Sequence, residues 1–239
     1  MDLLTILNGV FALIYVGLSL LIGLHMIVTY FKKKLLVLLL VGITWIGIVT
    51  PWFPTTVSFL VALFNEVGIS RELYILIGNI SGPFIVIIWM YGFTEFFYKN
   101  KRTILMIFAL IYAIIFETIF LYLFITEPAS IANYKPPLDI DYRGIYMIVA
   151  ATVIIYMLTT GLIFSYNSIK TYDKETRLKG YFLLVAFISY AVGAFLDAAV
   201  SAGITLLIIT RSILILAGIM WYVGFLLPDA IKNRLLKEE

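Results

Sequence analysis

The amino-acid sequence predicts an all-α polytopic membrane protein, a seven-transmembrane-helix bundle with its N-terminus outside and its C-terminus inside. Three observations predict it. Hydrophobic residues make up 63% of the chain and charged residues 13%, and the mean hydropathy is +1.06; soluble domains use about 45–50% apolar residues. A hydrocarbon core about 30 Å thick, crossed at about 1.5 Å per residue, needs about 20 apolar residues, and runs on that scale occur at roughly 3–29, 35–50, 73–98, 103–126, 144–168, 180–201 and 204–227. Counted over seven crossings, one side receives thirteen Lys and Arg and the other only Arg71, Lys135 and Arg143, an asymmetry that assigns the rich side to the cytoplasm.

The first run opens Met-Asp-Leu-Leu with no basic leader and no small-residue cleavage site, so it reads as a retained helix and not a signal peptide. The second ends at Pro51-Trp52-Phe53-Pro54, and 55–64 is apolar again. Ten residues are too few to cross, and an eighth crossing would send Lys99, Lys101 and Arg102 outside. That piece reads as an outer interfacial helix with Trp52 at headgroup level. The third run carries Pro83. A Pro-, Tyr- and Asp-rich outer loop, 126–143, follows the fourth, and a basic inner loop, 168–179, follows the fifth. Spans and short loops account for residues 1–239 as one domain of the cell membrane, with no room for a soluble catalytic domain.

Several function classes fall away. The net charge of +3 lies in short clusters and forms no stripe, so nucleic acid is not an expected partner. With no cysteine and a single histidine, His25, a metal site is not expected. His25 and Asp197 belong to opposite leaflets, too far apart for a Ser-His-Asp triad. Retinal needs a lysine inside the seventh helix for its Schiff base; 204–227 contains none, and Lys232 follows Pro228. No Gly-x-Gly-Asp motif supports intramembrane aspartyl proteolysis. An enzyme is not expected, and no cofactor is implied.

The polar residues inside the spans carry what remains. A turn at Ser201–Gly203 places Asp197 six residues below it on the sixth helix and Arg211 eight below it on the seventh. Both therefore lie about 9–12 Å along adjacent antiparallel helices. A lone charge at such depth costs about 2.5–3.5 kcal/mol or more, so a mutual pair is expected. Ala194, Ala198 and Ala202 would let a neighbouring helix approach closely. Glu117 sits deep in the fourth span, where an ionisable group is by default a site candidate. Asn79 lies in the third span and Asn8 near the outer end of the first. Asn79, Glu117, Asp197 and Arg211, with Asn8, map to the outer half or the centre. They form either an outward polar crevice or separate interhelical hydrogen bonds; the pair in turn either pins a hairpin, reaches outer water, or acts as a switch. His25 reads as a satisfied or snorkelling residue, and Glu95 as an interface charge beside Lys99.

Trp45 in the second span, Gly78-Asn79-Ile80-Ser81-Gly82-Pro83 with Trp89 in the third, the long outer loop after the fourth, and Arg177-Leu178-Lys179-Gly180 opening the sixth together resemble the seven-helix N-terminal sensor regions of membrane histidine kinases. The chain departs from that pattern in lacking a glutamine beside Arg177 and in carrying no kinase domain. The resemblance implies a stand-alone sensor or receptor-like module that binds a small ligand or ion outside and signals through a cytoplasmic partner or a homo-oligomer. A proton-coupled or small-solute transporter or channel using Glu117, and a structural or assembly subunit, are the other two expectations.

Overall fold

The computed structural model describes residues 1–199 and 203–236. Most of the expected Ser201–Gly203 turn, the Ala202 position of the alanine series and the tail residue Lys237 lie outside these. Eleven α-helices and one β-hairpin are described: α1 (Leu3–Lys33), α2 (Leu36–Ile48), α3 (Phe53–Asn65), α4 (Arg71–Asn79), α5 (Gly82–Phe97), α6 (Arg102–Thr126), α7 (Pro128–Ile131), β1 (Ala132–Lys135), β2 (Asp139–Tyr142), α8 (Gly144–Ile169), α9 (Lys174–Ala199), α10 (Ile204–Leu226) and α11 (Asp229–Leu235). They make seven spans long and apolar enough to cross a membrane: Leu3–Lys33, Leu36–Asn65, Arg71–Phe97, Lys99–Thr126, Gly144–Ile169, Lys174–Ala198 and Ile204–Leu226. This is the architecture of a multi-pass membrane protein.

The second span differs from the sequence reading. The residues expected as an interfacial helix, 55–64, are the far half of one bent 30-residue span. The two prolines permit this because each sits in the first turn of its own segment, where its missing N–H costs that segment no internal hydrogen bond. A 3₁₀ turn at Thr50–Trp52 joins α2 to α3, and Val49, Trp52 and Phe53 stay in the right-handed helical region. The chain bends without reversing. Thr55, Thr56, Ser58, Phe59 and Ala62 are buried on α3, which packs along α1. Trp52, expected among headgroups, is only 5% exposed and belongs to the core.

The third span is also interrupted, at Ile80–Ser81, and Pro83 again occupies a first-turn position. The two breaks meet, since the Thr50 and Ser81 hydroxyls share a hydrogen bond at 2.5 Å. Neighbouring spans pack in chain order, and the first closes the ring against the seventh. Half of the most apolar stretch of the second and third spans is buried against 22% for the fourth and fifth, so the broken spans are central and the other two face outward. Trp45, Trp89 and Trp221 meet in the core, with ring centroids 5.1 Å (Trp45–Trp221) and 5.7 Å (Trp89–Trp221) apart. Trp89 Nε1 donates to Thr160 Oγ1 at 2.8 Å, satisfying a polar handle that would be costly to bury alone.

The outer loop expected at 126–143 folds into the antiparallel hairpin β1–β2, paired from Ala132–Tyr142 to Lys135–Asp139. It lies over α3 and α4. Tyr74 donates to Leu138 O at 2.9 Å, and Tyr134 to Ile69 O at 2.8 Å. The opposite end carries the lysine clusters and α11. The two ends are called here the hairpin end and the basic end.

Candidate functional site

The bend in the second span is where the site begins. Pro51 has no N–H to give Gly47 O, and the Thr50 hydroxyl donates to that carbonyl instead at 2.7 Å. The Trp52 amide turns to Val49 O at 3.0 Å, leaving Ile48 O without its usual i+4 donor; the Tyr190 hydroxyl, from α9, donates to it at 3.1 Å. Buried backbone groups require such partners, so the sixth span completes the bend of the second.

One helical stretch further along α9, Asp197 makes the second link. Its Oδ2 accepts from Trp52 Nε1 at 2.7 Å and from Arg211 Nη1 at 3.2 Å. Arg211 Nη2 donates to Asn8 Oδ1 at 3.0 Å. The Arg211 side chain is 4% exposed and that of Asp197 25%, so the carboxylate is the accessible member of the pair. Asn8, Trp52, Asp197 and Arg211 thus join the first, second, sixth and seventh spans through one carboxylate and one guanidinium. Tyr15 packs edge-on against Trp52 with centroids 5.2 Å apart. Its hydroxyl and Arg211 Nε are buried with no hydrogen-bond partner among the described residues, so the cluster retains unused hydrogen-bonding capacity.

Asn79 stands in a separate cluster. Its Nδ2 donates to Ile75 O at 2.7 Å and to the Tyr142 hydroxyl at 2.9 Å, and Tyr146 donates to its Oδ1 at 2.7 Å. It ties the break of the third span to β2 and to the start of the fifth span. Glu117 lies on α6 beside Phe116, whose ring meets Tyr146 with centroids 6.2 Å apart, and its Oε2 is buried without a hydrogen-bond partner among the described residues. Hydrogen bonds therefore bring Asp197, Arg211 and Asn8 together, whereas Asn79 and Glu117 are not bonded to them. Of the two arrangements expected from the sequence, one crevice or separate interhelical hydrogen bonds, the hydrogen bonds form two separate groups, one around Asp197 and Arg211 and one around Asn79.

Other expected residues are placed as follows. Glu95 pairs with Lys99 at 2.8 Å, and also with Arg102, at the basic end. His25 is exposed and meets Tyr222 with centroids 5.7 Å apart. Ala194 is buried and Ala198 exposed, so only the first presents its small side chain to a packed neighbour. Among the described residues no three His, Asp or Glu side chains are grouped as metal ligands would be. Sequence reasoning missed Trp52, Tyr190, Tyr142 and Tyr146 as partners of the polar residues. The break that Pro51 makes in the second span, which leaves carbonyls without their helical donors, was the available signal for Tyr190.

No protein-family model matches the chain, and no curated protein matches its sequence. The functional reading rests on the site's own geometry.

Proposed function

We propose that the protein is a stand-alone seven-helix membrane sensor or receptor-like module, N-terminus outside and C-terminus inside, in which the Asp197–Arg211 cluster takes up a small ligand or ion from the outer side. The observation that carries this reading is the double use of Asp197 Oδ2, which holds both Arg211 and the bend residue Trp52. A solute that engages the accessible carboxylate, or that offers a carboxylate of its own to Arg211, competes with both hydrogen bonds. It then favours a conformation in which Trp52 is released and the second span is less tightly held to the sixth. A ligand shifts a conformational equilibrium only through unequal affinity for its states, and competition for a shared acceptor supplies that inequality. The inner ends of these spans pass the change to a cytoplasmic partner or a second copy of the chain.

Thermal-shift titration of the detergent-solubilised protein with small carboxylates, amino acids and monovalent cations tests the assignment. A saturable shift that Arg211→Ala or Asp197→Asn abolishes supports it. A saturable shift that persists unchanged in both variants contradicts it.

A second reading, a small-solute or proton-coupled transporter or channel, is favoured by the two interrupted spans meeting at Thr50 and Ser81 and by the Glu117 oxygen that has no partner among the described residues. Interrupted helices mark many transport sites. Flux into proteoliposomes that Glu117→Gln abolishes would select this reading over the sensor.

A further inference from the structure

At the basic end a hollow of about 300 Å³ lies between the first two turns of α9 and the last residues of α11, lined by Lys174, Arg177, Leu178, Tyr181, Leu235 and Leu236. We propose that it holds the headgroup phosphate of an anionic phospholipid, independently of the outer cluster. Lys174, Arg177, Leu178 and Tyr181 follow the i, i+3, i+4, i+7 spacing that puts residues on one helix face. The two cations stand at the start of the span, which opens at Lys174. Tyr181 lies two turns deeper, where an amphipathic ring suits the membrane interface.

Among the described residues, charge pairing leaves these two cations for a ligand. Their neighbours Lys179 and Lys232 are both bound to Glu175, at 2.6 and 2.7 Å, whereas Lys174 and Arg177 have no ion-pair partner among the described residues. Asp173 is turned to the Thr176 amide and hydroxyl at 2.8 and 2.6 Å. It caps the helix, so an incoming anion must be met by side chains and not by free amides. At this end, residues 170–179 and 229–234 place six Lys and Arg against the three carboxylates Asp173, Glu175 and Asp229, a local excess that attracts anionic lipid.

The shape selects the source of the phosphate. A free phosphate ion has no use for a wall of three leucines, while a phospholipid covers it with its glycerol and upper acyl carbons. The volume lies at the small end of the range of about 300–1,000 Å³ typical of small-molecule sites, which fits a headgroup. The Lys232–Glu175 pair ties α11, which carries Leu235 with Leu236 next to it, to α9.

Native mass spectrometry of the full chain in neutral detergent, with dioleoylphosphatidic acid or dioleoylphosphatidylcholine added, tests the assignment. The expected result is selective retention of one phosphatidic acid, reduced about thirtyfold in the Lys174→Gln/Arg177→Gln double variant, the effect of removing two cations near the surface. Leu235→Asn, which alters the wall and no charge, also lowers retention. Lys32→Gln/Lys33→Gln, at the same end but outside the hollow, leaves it unchanged. Equal loss in the Lys32/Lys33 variant, full retention without Lys174 and Arg177, or displacement by equimolar glycerol 3-phosphate would each overturn the proposal. Unchanged melting temperatures in all variants separate these outcomes from misfolding.

Discussion

Trp52 and Asp197, 145 positions apart in the chain, are joined by a 2.7 Å hydrogen bond from indole nitrogen to carboxylate. The bond fastens the bend of the second span to the sixth. Trp52→Phe keeps a large ring in the core and removes the donor. The expected cost is about 1.5 kcal/mol, the low end for a hydrogen bond to a charged group, because Asp197 remains partly exposed. Chemical denaturation in mixed micelles measures it. A stability equal to that of the unaltered protein would mean that water replaces the indole at no cost.

The Asp197–Arg211 pair is predicted to be energetically coupled. Arg211→Ala and Asp197→Ala each destabilise, because each strands a charge in a poorly solvated site. The double variant is less destabilised than their sum, with a coupling of about 1–3 kcal/mol. Asn8→Ala costs less, about 1 kcal/mol, since it removes one hydrogen bond to Arg211 and no charge. Additive single effects in a double-mutant cycle would show that the 3.2 Å contact contributes no stability.

The first and second spans are predicted to depend on a glycine contact. A Cβ on Gly42 would lie 2.8 Å from Gly23 O, and one on Gly23 2.9 Å from Gly42 O. These helices approach backbone to backbone, as small residues allow in membranes. Gly42→Ala should cost about 1–3 kcal/mol, as overpacking does. At Gly17, where an added Cβ meets nothing within 4 Å, alanine should be neutral or stabilising by about 0.5–1 kcal/mol through its helix preference. Melting temperatures of the two variants, compared side by side, check the contrast.

Acid is predicted to loosen the start of α9. The Thr176 hydroxyl and amide donate to Asp173 and hold its carboxyl below the ordinary value of 3.8. A depressed carboxylate contributes stability that is fully present above its unfolded value and is lost as pH falls through the lower folded value. The titration of the Thr176 amide resonance should therefore be centred below pH 3.8. Asp173→Ala should abolish the transition. Movement centred at or above pH 3.8 would show that the cap does not favour the charged form.

Much of this arrangement is legible in the sequence, and the reasons differ from residue to residue. Asp197 and Arg211 could be paired in advance because adjacent antiparallel helices of known rise fix their relative depth, and the seven spans follow from apolar run length. The bend at Pro51-Trp52-Phe53-Pro54 reads as a stop because proline normally ends a helix. Its continuation depends on carbonyl partners, Thr50 beside it and Tyr190 from a span far away in the chain, that local pattern does not reveal. The hairpin was hidden for a similar reason: strands of four residues are too short to show alternation, and it is held largely by tyrosines reaching backbone carbonyls. Asn79 and Glu117 could be ranked by depth but not assigned to a face, and the structure gives them neighbours other than the pair.

The absence of cysteine from the chain permits the most direct test of the central claim, that the Asp197–Arg211 cluster controls how the spans are held at the far end. Spin labels on Leu35→Cys and Tyr172→Cys, both exposed at the basic end, report the separation between the start of the second span and the loop before the sixth. Pulsed electron paramagnetic resonance in nanodiscs should give a shifted or broadened distance distribution when Asp197→Asn or Arg211→Gln is introduced. Distributions that superimpose on that of the unaltered cluster would contradict the account.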